Sequence, residues 1–212
     1  MNIHLMLCCN MLTPPIFEHI TQAIAQNGYC IIDNALPANT AQALHQHMSN
    51  IPAKDFKGMG VGRANELHVD QTYRSDTSLW LDGIHTAEQN YLQWMEQLRL
   101  AINQRLFLGL FTYEAHFAHY APQSFYKRHT DAFQGLSNRK LTTVYYLNPN
   151  WATDDGGELA MYADEKSSNA FQTVAPQMNR LVVFLSESFP HEVLPAHKDR
   201  YSIAGWFKLG KH

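Results

Sequence analysis

The chain reads as a mainly β fold with supporting α-helices, an α+β arrangement in which helices come first and a jelly roll follows. Three observations predict it. Helical periodicity dominates before residue 110, seven short β-prone runs come after it, and turn chemistry separates those runs at close spacing. Many short strands in quick succession suggest a sandwich or barrel, and the jelly roll is one of the few ways to close one. No internal repeat, low-complexity tract or linker breaks the chain. Residues 1–212 are therefore expected to form a single domain, with 1–110 as mostly helical support, an irregular loop at 54–80, and 111–208 as the jelly-roll core.

The elements follow in order. Thr13-Pro14-Pro15 starts a helix with Ile16, Phe17, Ile20 and Ile24 on one face, and Gly28 stops it. Tyr29 to Ile32 is a short strand. Residues 38–49 make a second helix on Ala41, Leu44 and Met48. A third runs from about Thr86 to Leu108, with Tyr91, Leu92, Met95, Ile102 and Leu106 facing inward. Between these two helices lies a polar, Gly-punctuated excursion, GMGVGRANELHVDQTYRSDTSLWLDG, of the kind that often carries binding functions. The β-prone runs are 111–120, 124–129, 141–147, 158–162, 171–174, 180–185 and 200–207. Asn148-Pro149, Asp155-Gly156-Gly157 and Ser167-Ser168-Asn169 punctuate them.

Composition narrows the class. At 45% hydrophobic, 12% aromatic and 17% charged, 212 residues can bury a sizeable core. A formal charge of -3 without long runs of one sign gives no electrostatic case for nucleic acid or an anionic membrane. Cys8, Cys9 and Cys30 are odd in number and clustered, which argues against a disulfide framework and fits a reducing compartment. MNIHLMLCCNML lacks the basic start of a signal peptide, and no stretch approaches the ~20 apolar residues of a membrane span. A cytoplasmic location is the expectation.

Twelve histidines make metal worth considering. His129-Thr130-Asp131 offers an imidazole and a carboxylate at i and i+2, which share a side at a strand end. His191, after RLVVFLS, offers a second imidazole. Two imidazoles and one carboxylate on one face suit non-haem iron, with the remaining positions open. About one His-x-Asp pair is expected by chance in so His-rich a chain, and His68-Val69-Asp70 is a second. Context separates them: nine residues past His191, Arg200 opens RYSIAGWF, where a guanidinium could hold the far carboxylate of a dicarboxylic cosubstrate. By parity Arg200, Ser202, Ala204 and Trp206 share one face. No such pattern follows His68. His116 and His119 face opposite ways on a strand and His45 and His47 diverge on a helix, so both pairs are expected to be structural or exposed. Gly58-x-Gly60-x-Gly62 lacks the strand–helix context of a dinucleotide site.

From Tyr120 through Trp206 the sequence resembles the prolyl 4-hydroxylase-like oxygenases, in the branch of the oxygen-sensing prolyl hydroxylases and their bacterial relatives. HYAPQSFYKRHTD, RKLTTVYYLNPNW, DDGGELAMY and NRLVVFLSESFPHEVLPAHKDRYSIAGWF carry the likeness. Upstream, VGR followed by YRSDTSLWL is similar to the mobile finger loop of that branch, so the likeness covers roughly residues 56–208. It implies a double-stranded β-helix, in agreement with the jelly roll read from the strands. It also implies Fe(II) on His129, Asp131 and His191. The 2-oxoglutarate cosubstrate would pair its far carboxylate with Arg200 and Tyr146, its chelating end would meet Tyr120, and Thr142 and Leu159 would line the pocket. Dioxygen is the other cosubstrate, with ascorbate as an accessory reductant. Tyr126, Arg139, Trp206 and the loop residues Arg74, Asp76 and Trp80 stand where such enzymes meet a polypeptide; for Arg74 and Asp76 a surface ion pair is an equal reading. Tyr145, opposite in face to Tyr146, is expected in the core. Ala204 stands where the animal oxygen sensors resemble one another in carrying threonine.

The activity this resemblance implies is hydroxylation of a prolyl residue in an intracellular protein, with a translation factor as a natural candidate, and with succinate and carbon dioxide formed. The expected partner is a protein or peptide substrate. Two alternatives stay open: oxygenation of a free amino acid or other small metabolite, and a jelly-roll metal-binding module without turnover.

Overall fold

The structure is a computed structural model and describes residues 14–58, 72–132 and 137–210. Cys8, Cys9, His68 and Asp70 lie outside the described residues. Three helices, α1 (Pro15–Asn27), α2 (Ala38–Ser49) and α3 (Thr86–Leu106), match the sequence expectation closely. Pro15 sits in the first turn of α1, where its missing N–H costs nothing, and Gly28 closes the helix in the left-handed region at φ 79. The His85 side chain caps α3 by accepting from the Ala87 amide.

Eleven strands form two antiparallel sheets among the described residues. They are β1 (Tyr29–Ile32), β2 (Lys57–Gly58), β3 (Thr77–Trp80), β4 (Leu110–Tyr120), β5 (Tyr126–His129), β6 (Arg139–Tyr146), β7 (Leu159–Met161), β8 (Gln172–Val174), β9 (Leu181–Leu185), β10 (His191–Val193) and β11 (Arg200–Leu209). The larger sheet runs β1-β9-β6-β11-β4-β3-β2 and the smaller one β5-β10-β7-β8. The polar excursion leaves a short hairpin, β2–β3, which joins the larger sheet through β4.

Both faces of the larger sheet are covered, so its central strands read as continuous apolar runs rather than alternating ones. On one face Leu141, Tyr145, Leu181, Val183, Ile203 and Phe207 pack against Ile20, Leu44, Tyr91, Met95 and Ile102 of the helices. On the other face Val144, Tyr146, Val182 and Phe184 meet Leu159, Met161, Val174 and Val193 from the smaller sheet. The period-2 rule thus assigns each strand residue to a helix-facing or an interior layer. Tyr145 takes the helix side and donates to Asn179, as its parity predicts. Cys30 is a buried free thiol whose pKa burial pushes up to about 11, so it is chemically quiet.

Candidate active site

The two sheets enclose a cavity of about 480 Å³ that opens to solvent at one side. Its inner wall is one face of β11, along which Arg200, Ser202, Ala204 and Trp206 follow one another at every second residue.

At one end lie His129, Asp131 and His191. β5 ends at His129, and β10 runs antiparallel beside it, so that His191 stands directly opposite His129 in register. β10 is only three residues long, so in the sequence His191 shows only as trailing the strand RLVVFLS. The Nε2 atoms of His129 and His191 lie 3.6 and 3.7 Å from the two Asp131 oxygens, and one donor atom of each residue falls within 4.8 Å of the others. Each imidazole is oriented from behind. Its Nδ1 meets a backbone carbonyl, Lys127 at 2.8 Å for His129 and Phe189 at 3.0 Å for His191, which leaves the Nε2 lone pair facing inward. Asp131 Oδ2 accepts from the Thr142 hydroxyl at 2.7 Å and the Trp206 indole at 3.0 Å. Thr142 is held in turn by Ser186 at 2.9 Å. Burial would raise the Asp131 carboxyl, but attraction to His191, the hydrogen bond and charge of His129, and the Thr142 hydroxyl hold it well below the usual carboxylate range. Burial, reinforced by His129, pushes His191 down to about 4, so its ring is neutral at ordinary pH. Two nitrogen donors and an ionised carboxylate, each with its orientation set from behind, fit a divalent iron with an open face.

At the other end Arg200 is 1% exposed, with Tyr120 opposite it across the β11–β4 ladder. Its Nε donates to the Gly157 carbonyl at 2.8 Å and one Nη reaches Ser202 at 3.3 Å. Among the described residues no carboxylate pairs with it. The rings of Tyr120 and Tyr146 lie 4.8 and 5.1 Å from its guanidinium carbon. The Tyr146 hydroxyl is buried beside the Arg200 guanidinium, and it is the single buried side-chain N or O among the described residues that finds no partner of full hydrogen-bond geometry. A buried cation that meets no carboxylate there, beside a phenol without a fully formed hydrogen bond, is a cradle for an incoming carboxylate. Gly157 makes room for it: at φ 69, an added Cβ would stand 3.0 Å from Arg200 Cδ and 3.1 Å from Ala196. The turn read from Asp155-Gly156-Gly157 therefore also shapes the pocket.

Of the residues singled out in the sequence, Arg74, Trp80, Tyr120, Tyr126, Arg139, Thr142, Leu159, Arg200 and Trp206 line the cavity with the three metal-type residues. Tyr146 and Asp76 are not in that lining; Tyr146 belongs to the core cluster between the sheets, and Asp76 is bound to the lining residue Arg74. Tyr126 stacks on His129, rings 3.7 Å apart, and Arg139 lies 3.6 Å over Trp206 while reaching Glu114. Trp80 is 48% exposed, at the mouth. The surface reading of Arg74 and Asp76 is corrected. They form a bidentate pair at 2.7 and 2.5 Å, with Asp76 3% and Arg74 9% exposed, because Arg74 packs 4.2 Å over the Tyr126 ring. Val144 and Val193, apolar lining set by strand parity, carry no signal of their own in the sequence. His116, expected to be structural or exposed, is buried and lines the cavity; His119, on the opposite face, pairs with Asp199. His45 and His47 bond to Leu147 and Glu88, away from the site.

A jelly roll holding two imidazoles and a carboxylate beside a buried arginine defines the class of non-haem iron oxygenases. Residues 115–208 match the model of the 2OG-Fe(II) oxygenase superfamily. A solved prolyl-4-hydroxylase from Pseudomonas putida is 38% identical, superposes with a TM-score of 0.81, and is matched over 93% of this chain and 100% of its own. A Trichoplax adhaerens prolyl hydroxylase, solved with a hypoxia inducible factor oxygen degradation domain peptide fragment, is 28% identical with a TM-score of 0.76, covering 92% of this chain and 89% of that one. Egl nine homolog 1 of Homo sapiens is 28% identical over 90% of this chain, which spans 46% of the human protein. The chain thus covers about half the length of that curated relative. It belongs to the 2OG-Fe(II) oxygenase superfamily, beside its prolyl hydroxylases. Fe(II), 2-oxoglutarate and dioxygen are the metal and cosubstrates of that family, and His129, Asp131 and His191 fit the metal. No helix among the described residues is long and apolar enough to cross a membrane.

Proposed function

We propose that the chain hydroxylates a prolyl residue of a polypeptide. The observation that carries the reading is the pairing, in one cavity, of an iron-type triad with a buried Arg200 that meets no carboxylate among the described residues, in a lining that also holds Trp80, Arg139 and Trp206. The peptide-bound Trichoplax relative supports a polypeptide as the substrate class.

When bound, iron with its cosubstrates supplies the oxidising power: a substrate C–H becomes C–OH, while 2-oxoglutarate and dioxygen give succinate, carbon dioxide and the transferred oxygen atom. The chain's own residues bind, orient and exclude water. His129, Asp131 and His191 would hold the metal. Arg200 would clamp the far carboxylate through its free N–H groups, with the Tyr146 hydroxyl as second donor. Tyr120 would meet the chelating end, and Val144, Leu159 and Val193 keep the bound dianion out of water. Thr142 and Trp206 fix the Asp131 carboxylate, leaving its other oxygen for the metal. Arg139 and Trp80 would meet the polypeptide at the mouth, and Arg74, tied to Asp76, braces Tyr126 against His129. No proton donor or acceptor is required of the protein for the C–H step.

The test is incubation with Fe(II), 2-oxoglutarate and air, offering proline-containing peptides and a translation factor as first protein. One added oxygen on a prolyl residue, located by mass spectrometry and matched by succinate, is expected. Oxidation of a free amino acid with no peptide oxidised would replace this reading with the small-metabolite one, and iron binding without any succinate would replace it with the inert module.

A further inference from the structure

His116 stands in the middle of β4, opposed by Trp80 of β3 on one side and by Ala204 of β11 on the other. Its side chain lines the cavity although the residue is only 2% exposed. The Trp80 and Trp206 rings lie 5.2 and 5.6 Å from its own and 6.5 Å from each other, so the three rings form one cluster with exposed Trp80 outermost. Its Nδ1 is engaged by the Phe117 carbonyl at 3.1 Å, so the proton resides there and Nε2 presents a lone pair. Nothing among the described residues donates to that nitrogen, and the opposing Ala204 brings only a methyl group. Burial pushes the ring down to about 4, which keeps it neutral and an acceptor at ordinary pH. An acceptor that meets no donor among the described residues and stands at the cavity wall is open to a donor on whatever enters there.

We propose that His116 is a substrate-positioning residue whose Nε2 accepts a hydrogen bond from a backbone amide N–H of the polypeptide lying across Trp80 and Trp206. The proposal rests on the reading of the chain as a polypeptide oxygenase. A prolyl nitrogen within a chain carries no hydrogen, so the donor belongs to a residue flanking the target. His116 therefore sets the register of the bound segment rather than recognising the proline ring. Trp206 has its own N–H engaged with Asp131, so the indole offers a face while the imidazole offers the directional contact.

The experiment measures affinity of the Fe(II)- and 2-oxoglutarate-loaded protein for a labelled proline-containing peptide by fluorescence anisotropy without oxygen. The same peptide is also offered as a series, each member N-methylated at one backbone amide. His116→Leu is expected to weaken the parent peptide roughly tenfold, and His116→Gln, which restores an acceptor, to recover most of that. One methylated position should weaken binding to the wild-type protein by about as much and add nothing further in His116→Leu. The methylated series leaves the wild-type protein untouched, so it reads out even if a variant fails to fold. Equal affinities in wild type and His116→Leu, or methylation penalties that persist in full in the variant, overturn the proposal. A penalty confined to the hydroxylated product peptide overturns it too, in favour of a contact to the new hydroxyl. Should no proline peptide bind the wild-type protein, the prolyl reading fails with it; normal peptide hydroxylation with equal affinities removes the role of His116 alone.

Discussion

The two ends of the cavity are built on opposite principles. At the metal end the chain meets the hydrogen-bonding needs of its own ligands: both Nδ1 atoms face carbonyls, and Asp131 Oδ2 takes two donors. At the Arg200 end it leaves needs unmet among the described residues: Arg200 meets no carboxylate and the Tyr146 hydroxyl finds no partner of full hydrogen-bond geometry. The contrast follows from what each end must receive. A metal ion is a point that tolerates little error in ligand direction, so its ligands are fixed in advance. A carboxylate brings two acceptor oxygens, so free donors must wait for it.

The largest break should come from the metal end. Asp131→Ala or His129→Ala is expected to abolish iron-dependent succinate formation, and His68→Ala to preserve it; equal losses, read by succinate release and iron binding, would erase the distinction between the two His-x-Asp pairs. Next, Arg200→Leu should raise the 2-oxoglutarate requirement about 100-fold, the scale of lost charge-assisted hydrogen bonds, with iron affinity nearly kept. It should also remove the thermal stabilisation by 2-oxoglutarate, worth about 2.7 kcal/mol in the wild type at a hundred times Kd. Thr142→Val should weaken iron binding about tenfold through Asp131, while 2-oxoglutarate dependence at saturating iron changes little. The smallest effect belongs to Tyr146→Phe. It should weaken 2-oxoglutarate binding by about three- to tenfold and leave the ligand-free protein about as stable, since the hydroxyl has no fully formed hydrogen bond to lose. A destabilised ligand-free Tyr146→Phe would mean that the two ends do not differ as described.

Much of this was legible because it rests on local chemistry. Pro15 and Gly28 bound α1, parity along RYSIAGWF places Arg200 and Trp206 on one face, and Asp155-Gly156-Gly157 marks its turn whatever surrounds it. Three features were not legible. β10 has three residues, too few for any periodicity, and exists because β5 and β7 flank it. Arg74 and Asp76 read equally as substrate contacts or as a surface ion pair, and only the packing of Arg74 over Tyr126 makes them a buried pair. His116 read as a bystander because strand parity tells only that it opposes His119, not which face meets the cavity.

By itself, the sequence determined the helices, most of the strands, the identity of the metal-type residues and the arginine, because period and turn chemistry act within a few residues. The tertiary structure alone decided that His191 lies across from His129, that Arg200 is buried without a counter-ion among the described residues, and that His116 lines the cavity. Those are statements about which distant surfaces meet, and burial and unmet hydrogen bonds come into being only when they do.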